Sequence, residues 1–151
     1  MTFVSAYFGP IAVDENSVIE FPEGLPGFED RRRFLPLQSP RQGGLIYVQS
    51  LERADLCFLA LPVRAVRPDY ELCLTPEDLT TLDLPMDRQP AIGNDVAALA
   101  ILSLAEGQDP TANLRSPVVI QMRTRRAVQA IRPDERYQCR EPLVGRECVC
   151  L

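Results

Sequence analysis

A chain of 151 residues, 46% hydrophobic and 25% charged, is long enough to bury its own core without metal or disulfide staples. It contains no histidine, lysine or tryptophan, which excludes Ser-His-Asp and Cys-His nucleophiles, histidine-containing zinc sites, the phosphate-loop lysine and Schiff-base chemistry. A net charge of −5 makes the whole chain a poor match for nucleic acid, and no apolar run approaches the roughly 18 residues of a membrane span.

The opening stretch MTFVSAYFG has neither a basic region nor a long apolar run, so no signal peptide is expected and the expected compartment is the cytoplasm. FVSAYF (3–8) reads as a strand ending at Gly9-Pro10, and IAV (11–13) as a second. VIEF (18–21) resumes after the polar turn Asp14-Glu15-Asn16-Ser17. EFPEGLPGFEDRRRF (20–34) then packs two glycines and two prolines between Pro22 and Gly27. Its G-x-x-G spacing lacks the GxGxxG or GK[ST] of a phosphate cradle. The residue types predict a rigid corner, with Gly24 at positive φ and Pro26 fixing the next bend. Phe21, Leu25 and Phe28 would anchor this corner while Glu23 and Glu29 face water. One helical turn is expected within GFEDRRRF (27–34).

LIYVQSL (45–51), LCFLALPV (56–63) and YELCL (70–74) read as further strands. TPEDLTTL (75–82) predicts a helix, with Thr75 as N-cap, Pro76 at the first helical position and Asp78 offering its amide to the Thr75 hydroxyl. DVAALAILSL (95–104) is rich in Ala and Leu, yet its β neighbours favour a strand. SPVVIQM (116–122) and AVQAI (127–131) complete the set. Fourteen prolines, many just outside the apolar runs, suit strand ends and edges. The expectation is a mainly β fold: a small antiparallel barrel-like single domain over 1–143 with one or two short helices, then a tail at 144–151.

Charge is uneven along the chain. Residues 52–109 carry eleven acids against four arginines, and residues 110–151 eight arginines against four acids. The first stretch suggests an acidic face able to meet a basic protein. The second offers Arg123, Arg125, Arg126, Arg132, Arg136, Arg140 and Arg146, with only Tyr137 as an interleaved aromatic for nucleic acid. Arg31-Arg32-Arg33, beside Glu29 and Asp30, reads as a solvated and internally paired run. The carboxylate pairs Asp14-Glu15, Glu77-Asp78 and Asp134-Glu135 would serve a hydrolase only across a cleft, and turn or helix-start chemistry explains each. Cys57 and Cys73 read as small core residues, while Cys139, Cys148 and Cys150 fit no zinc spacing. The terminal CVCL formally fits a prenylation box but lacks the polybasic run that supports one.

Taken in order, FG (8–9), IEFPEGLPGFE (19–29), Phe34, YVQSLERADLCFLALP (47–62), PDYELCL (68–74), ILSL (101–104), TANLRSPVVIQ (111–121), Gln129 and RYQCREPL (136–143) form a pattern. It resembles the flagellar assembly factor family (FliW). GLPGFE and TANLRSP are the specific segments, which marks Gly24, Pro26, Gly27, Asn113 and Pro117 as motif residues. Ser116 stands where the family usually has alanine, and the tail from Val144 runs past the family's usual end. The resemblance implies a cytoplasmic, non-enzymatic bacterial regulator that binds flagellin and the RNA-binding translational repressor CsrA. Flagellin holds the factor until secretion depletes it; the freed factor then binds CsrA and relieves repression of flagellin translation.

No catalytic residue, metal or cofactor is expected, nor direct contact with nucleic acid or membrane, and the free protein is expected to be a monomer. The expected partner-binding residues are Glu23, Leu25, Phe28 and Glu29 on the loop, with Glu77 and Asp78 on the helix. Two alternatives stand beside this reading: a nucleic-acid-binding β-barrel using the C-terminal arginines, and a small carboxylate hydrolase.

Overall fold

Short apolar runs cut by Gly, Pro and Asp turns fold as strands throughout the computed structural model, which describes residues 1–38 and 44–143. In chain order the strands are β1 (Thr2–Ser5), β2 (Gly9–Ala12), β3 (Ile19–Glu20), β4 (Arg33–Gln38), β5 (Ile46–Ser50) and β6 (Cys57–Pro62). Two short helices follow, α1 (Val63–Val66) and α2 (Pro76–Thr81). Then come β7 (Val96–Ser103), β8 (Thr111–Ala112), β9 (Val118–Gln121), β10 (Ala127–Gln129) and β11 (Glu141–Pro142).

β1 and β2 make a hairpin of their own, and the main sheet runs β10-β9-β7-β6-β5-β4-β3 with β8 and β11 attached beside β7. All these strand pairings are antiparallel. The two ends of the sheet meet at one point, a parallel bridge between Glu20 and Arg126. There the Glu20 amide donates to the Arg125 carbonyl at 3.0 Å. The sheet thus curls into a barrel-like wall with a seam that no continuous ladder closes.

The inner face buries Ile19, Phe21, Phe34, Val48, Leu99 and Ile120. Phe21 and Phe34 are fully buried and meet edge to face at 5.3 Å. Each such side chain contributes roughly 1.5–3 kcal/mol by burial. β7 explains its own unbroken apolar sequence. Leu99 points to this inner cluster, while Ala98 and Ala100 point to a second one with Val63, Val66, Tyr70 and Tyr137. A strand covered on both faces reads as a continuous apolar run. Leu79 and Leu82, from α2 and its end, cover Val96 and Val119 in a third cluster.

Several elements differ from the sequence expectation. The first strand stops at Ser5, whose hydroxyl accepts the amides of Tyr7 and Phe8 at 3.0 and 3.2 Å and turns the chain. RFLPLQ is a strand, β4, despite Pro36 and the arginine run before it. The Leu51 amide donates to the Arg33 carbonyl, so by alternation the Pro36 nitrogen points away from β5, on the side where β3 has ended. Val63 begins α1 instead of ending a strand.

YELCL forms no strand. The Tyr70 hydroxyl donates to the Leu114 carbonyl at 2.6 Å, and the Gln89 side-chain amide brackets Leu74, taking its N–H at 2.7 Å and meeting its C=O at 3.1 Å. GFEDRRRF makes tight turns and then enters β4, with no helical turn. Cys57 and Cys73 are half-buried and outside the core clusters. The expectations for the tail at 144–151, with Arg146, Cys148 and Cys150, lie outside the described residues. Among the described residues no helix is long and apolar enough to cross a membrane.

Candidate functional site

The corner at 21–31 is three successive β-turns, closed by the Gly24 amide on Phe21 (2.9 Å), the Phe28 amide on Leu25 (2.7 Å) and the Arg31 amide on Phe28 (2.9 Å). Pro22 and Pro26 hold the second position of the first two turns, where a fixed φ is pre-set for bending. Gly24 has φ +70 and Gly27 φ +84. Only Gly24 is also crowded: a methyl group there would lie 2.4 Å from the Glu29 carbonyl oxygen. Leu25 is 3% exposed, and half-buried Phe28 packs edge to face on Phe58 at 5.8 Å, so both hold the loop to the core. Glu29 accepts the Gly27 amide at 2.8 Å, and Glu23 accepts the Thr81 hydroxyl at 2.9 Å, which ties the loop to α2.

α2 begins where its capping residues predict. The Thr75 hydroxyl accepts the Asp78 amide at 3.1 Å, with Pro76 in the first turn. Its far end is fixed by Gln121 of β9, whose buried side-chain amide donates to the carbonyls of Leu82 (2.5 Å) and Asp83 (3.3 Å). β10, the third wall of the site, is placed by the TANLRSP segment. Asn113 Oδ1 accepts the amides of Arg115 (3.2 Å) and Ser116 (2.9 Å), Pro117 is fully buried, and the Ser116 carbonyl accepts from Gln129 Nε2 (3.1 Å).

These three pieces enclose a cleft of about 280 Å³, walled by Glu23, Gly24, Leu25, Pro26 and Glu29, by Asp78 and Thr81, and by Ala127, Val128 and Gln129. A shallower depression of about 390 Å³ adjoins it through Glu23 and reaches Glu77. Glu23, Glu29, Glu77 and Asp78 are therefore brought to one place from segments far apart in sequence. Burial pushes the Asp78 carboxyl up, hydrogen bonds to Thr75 pull it back, and nearby Glu77 and Glu23 add to the rise. Such a site favours a cationic guest. Gln129 belongs to the family pattern, but neither it nor Thr81 is expected at the binding site from sequence, and only the fold brings them to the acids.

The other charged groups are dispersed or engaged. Glu15 pairs with Arg33 at 2.6 Å, Glu71 with Arg136 at 2.9 Å, and Glu52 accepts the amides of Arg32 and Arg33. Arg132 is 4% exposed, pairs with Asp134 at 2.8 Å and lies over the Tyr137 ring at 4.7 Å. Tyr137 stacks on Tyr70 at 4.3 Å. This arginine and this tyrosine are interior cement, withdrawn from any nucleic-acid surface.

The fold and the cleft define a small antiparallel β protein with an open acidic groove at the seam of a curled sheet. The chain matches the family model described as FliW protein over residues 2–143, and it belongs to that family. It is similar to the flagellar assembly factor FliW of Caldicellulosiruptor bescii, 31% identical over 137 residues that cover 90% of this chain and 86% of the relative. The same is true of the flagellar assembly factor FliW of Bacillus licheniformis, 31% identical over 149 residues, 98% of this chain and 100% of the relative. A crystal structure of the flagellar assembly factor FliW superposes with a TM-score of 0.82 at 28% identity, covering 97% of this chain and 99% of that one.

Proposed function

We propose that this chain is a non-enzymatic cytoplasmic regulator that binds flagellin and the repressor CsrA and links flagellin level to flagellin translation and flagellum assembly. The observation that carries the reading is membership of the FliW family over nearly the whole chain. Two partners and differential binding are enough for such a linkage, with no chemistry at the site. The missing histidine and lysine agree with this, as does an acidic cleft suited to a basic partner. Residues 1–143 act in this reading as one domain, monomeric when free.

The test is calorimetric titration of the full chain against the flagellin and the CsrA of its own source organism. CsrA binding to the flagellin mRNA leader is then measured with and without the chain. Micromolar or tighter binding to both proteins, and release of the leader, are expected. No binding to either at micromolar concentration overturns the reading.

A further inference from the structure

The seam of the sheet leaves main-chain pairing incomplete on one strand. β10 pairs with β9 alone. The Gln121 amide donates to the Arg126 carbonyl and the Ala130 amide to the Pro117 carbonyl. By antiparallel alternation the N–H and C=O of Val128 also face β9, while those of Ala127 and Gln129 face the other way. On that outward side the Arg125 carbonyl is taken by the Glu20 amide. Beyond Phe21 the chain leaves the edge, since Pro22 has no N–H to offer and the Gly24 amide closes a turn on the Phe21 carbonyl. The parallel bridge of Glu20 with Arg126 also engages the Ala127 amide, which it sets on the Glu20 carbonyl. Among the described residues the Ala127 carbonyl and the Gln129 amide and carbonyl are therefore the outward main-chain groups with no strand beside them. The gap left there is the acidic cleft.

We propose that this seam docks an extended, arginine- or lysine-bearing segment of a partner protein, which adds to β10 through the Ala127 carbonyl and the main-chain groups of Gln129 and sets its cations against Glu23, Glu29 and Asp78. The proposal rests on the reading of the chain as a protein-binding factor. An exposed strand edge is a template for another strand unless charge, proline or cover protects it. Here the cover stands off across the cleft and carries carboxylates held in place by Thr81 and the Gly27 amide. Charge chooses the guest. A second copy of this chain, with its net charge of −5, would set the same acids against each other, whereas a basic strand is attracted. Arg125 and Arg126 stand at the closed end of the seam beside Glu20 and leave the open end acidic. Three residues of edge span roughly 10 Å, so the guest is short and its intrinsic affinity modest.

The experiment is an NMR titration of the full chain with a capped hexapeptide of alternating arginine and valine. Shifts centred on the Gln129 amide are expected. Two N-methylated forms, one blocking the arginine amides and one the valine amides, should differ in affinity by about tenfold or more, because strand addition uses one alternate set. Equal affinities overturn strand addition. A glutamate-valine hexapeptide that binds as well as the arginine one overturns the charge argument.

Gln129→Pro removes an outward amide without touching the β9 ladder and should weaken binding of the arginine peptide about tenfold. If that variant fails to fold, Glu23→Gln with Glu29→Gln carries the same expectation. A native chain that dimerises through β10 overturns the basic-guest assignment. If native chain binds flagellin or CsrA and the Glu23→Gln, Glu29→Gln variant binds them equally well, the seam is overturned and the functional reading stands. If the peptide docks at the seam while neither protein binds, the functional reading falls and the seam is supported.

Discussion

Gly24 and Gly27 both take positive φ, yet they stand in different surroundings. At Gly27 a side chain would meet open space, so Gly27→Ala pays only for the left-handed backbone, about 1–2 kcal/mol. At Gly24 the added carbon also collides with the Glu29 backbone, and Gly24→Ala should cost roughly 2–5 kcal/mol. Urea unfolding of the two variants separates backbone strain from crowding, and equal losses would show that the crowding is relieved at no cost. Asp78 gives the residue scale a pH signature. Its folded-state carboxyl is raised by burial, so just above the ordinary aspartate range the folded protein keeps a proton that the unfolded chain has released. The stability from this group is complete at low pH and lost as pH rises through the folded value. Asp78→Asn escapes that loss. It should gain stability relative to the native chain as pH rises above the ordinary aspartate range, and melts that keep a constant difference from below that range to neutrality would contradict the assignment.

α2 shows why one element is legible in sequence while its neighbours are not. Its start is written locally: Thr75 accepts the amide at Asp78, and Pro76 fills a position that needs no N–H. Thr75→Ala should cost about 1 kcal/mol in chemical denaturation. Thr80→Ala should stay within about 0.5 kcal/mol, because the exposed Thr80 hydroxyl bonds back to the Pro76 carbonyl and otherwise meets only the exposed Met86 sulfur at 3.6 Å. A larger loss at Thr80 than at Thr75 would show that the cap is not what holds the start of the helix. β4 hides for the opposite reason. Pro36 argues against a strand until β3 is known to end before reaching it. YELCL has strand composition, but Gln89 supplies from its side chain the two hydrogen bonds that a neighbouring strand would make. Alternation cannot distinguish these cases, since the deciding partner lies elsewhere in the chain.

At the scale of the molecule, the acids of the cleft could be named from sequence but not assembled. Glu23 and Glu29 belong to a turn, Asp78 to the first turn of a helix, and Ala127 and Gln129 to a strand that is legible as AVQAI but whose place at an open edge is not. Their meeting depends on the sheet curling until Glu20 reaches Arg125. That curl makes a prediction about main-chain protection. Amide hydrogens within a closed ladder exchange only on global or sub-global opening, while those facing a cleft exchange with local solvent. Val128 and Ala130 donate toward β9, Glu20 donates across the seam to Arg125 and takes the Ala127 amide in return, and the Gln129 amide points into the opening. Hydrogen exchange by NMR should therefore vary along β10, with Val128 and Ala130 slow, Gln129 faster by orders of magnitude and Ala127, held only at the bridge, between them. Glu20 should fall between, since it makes a single bridge where other strand residues sit in a ladder. Protection of Gln129 equal to that of Val128 and Ala130 in the free chain would mean that the seam is closed in solution, and the cleft would then have no free edge to offer. Fast exchange at Glu20 as well would mean that the curl opens on its own, and the acids would no longer be held opposite β10.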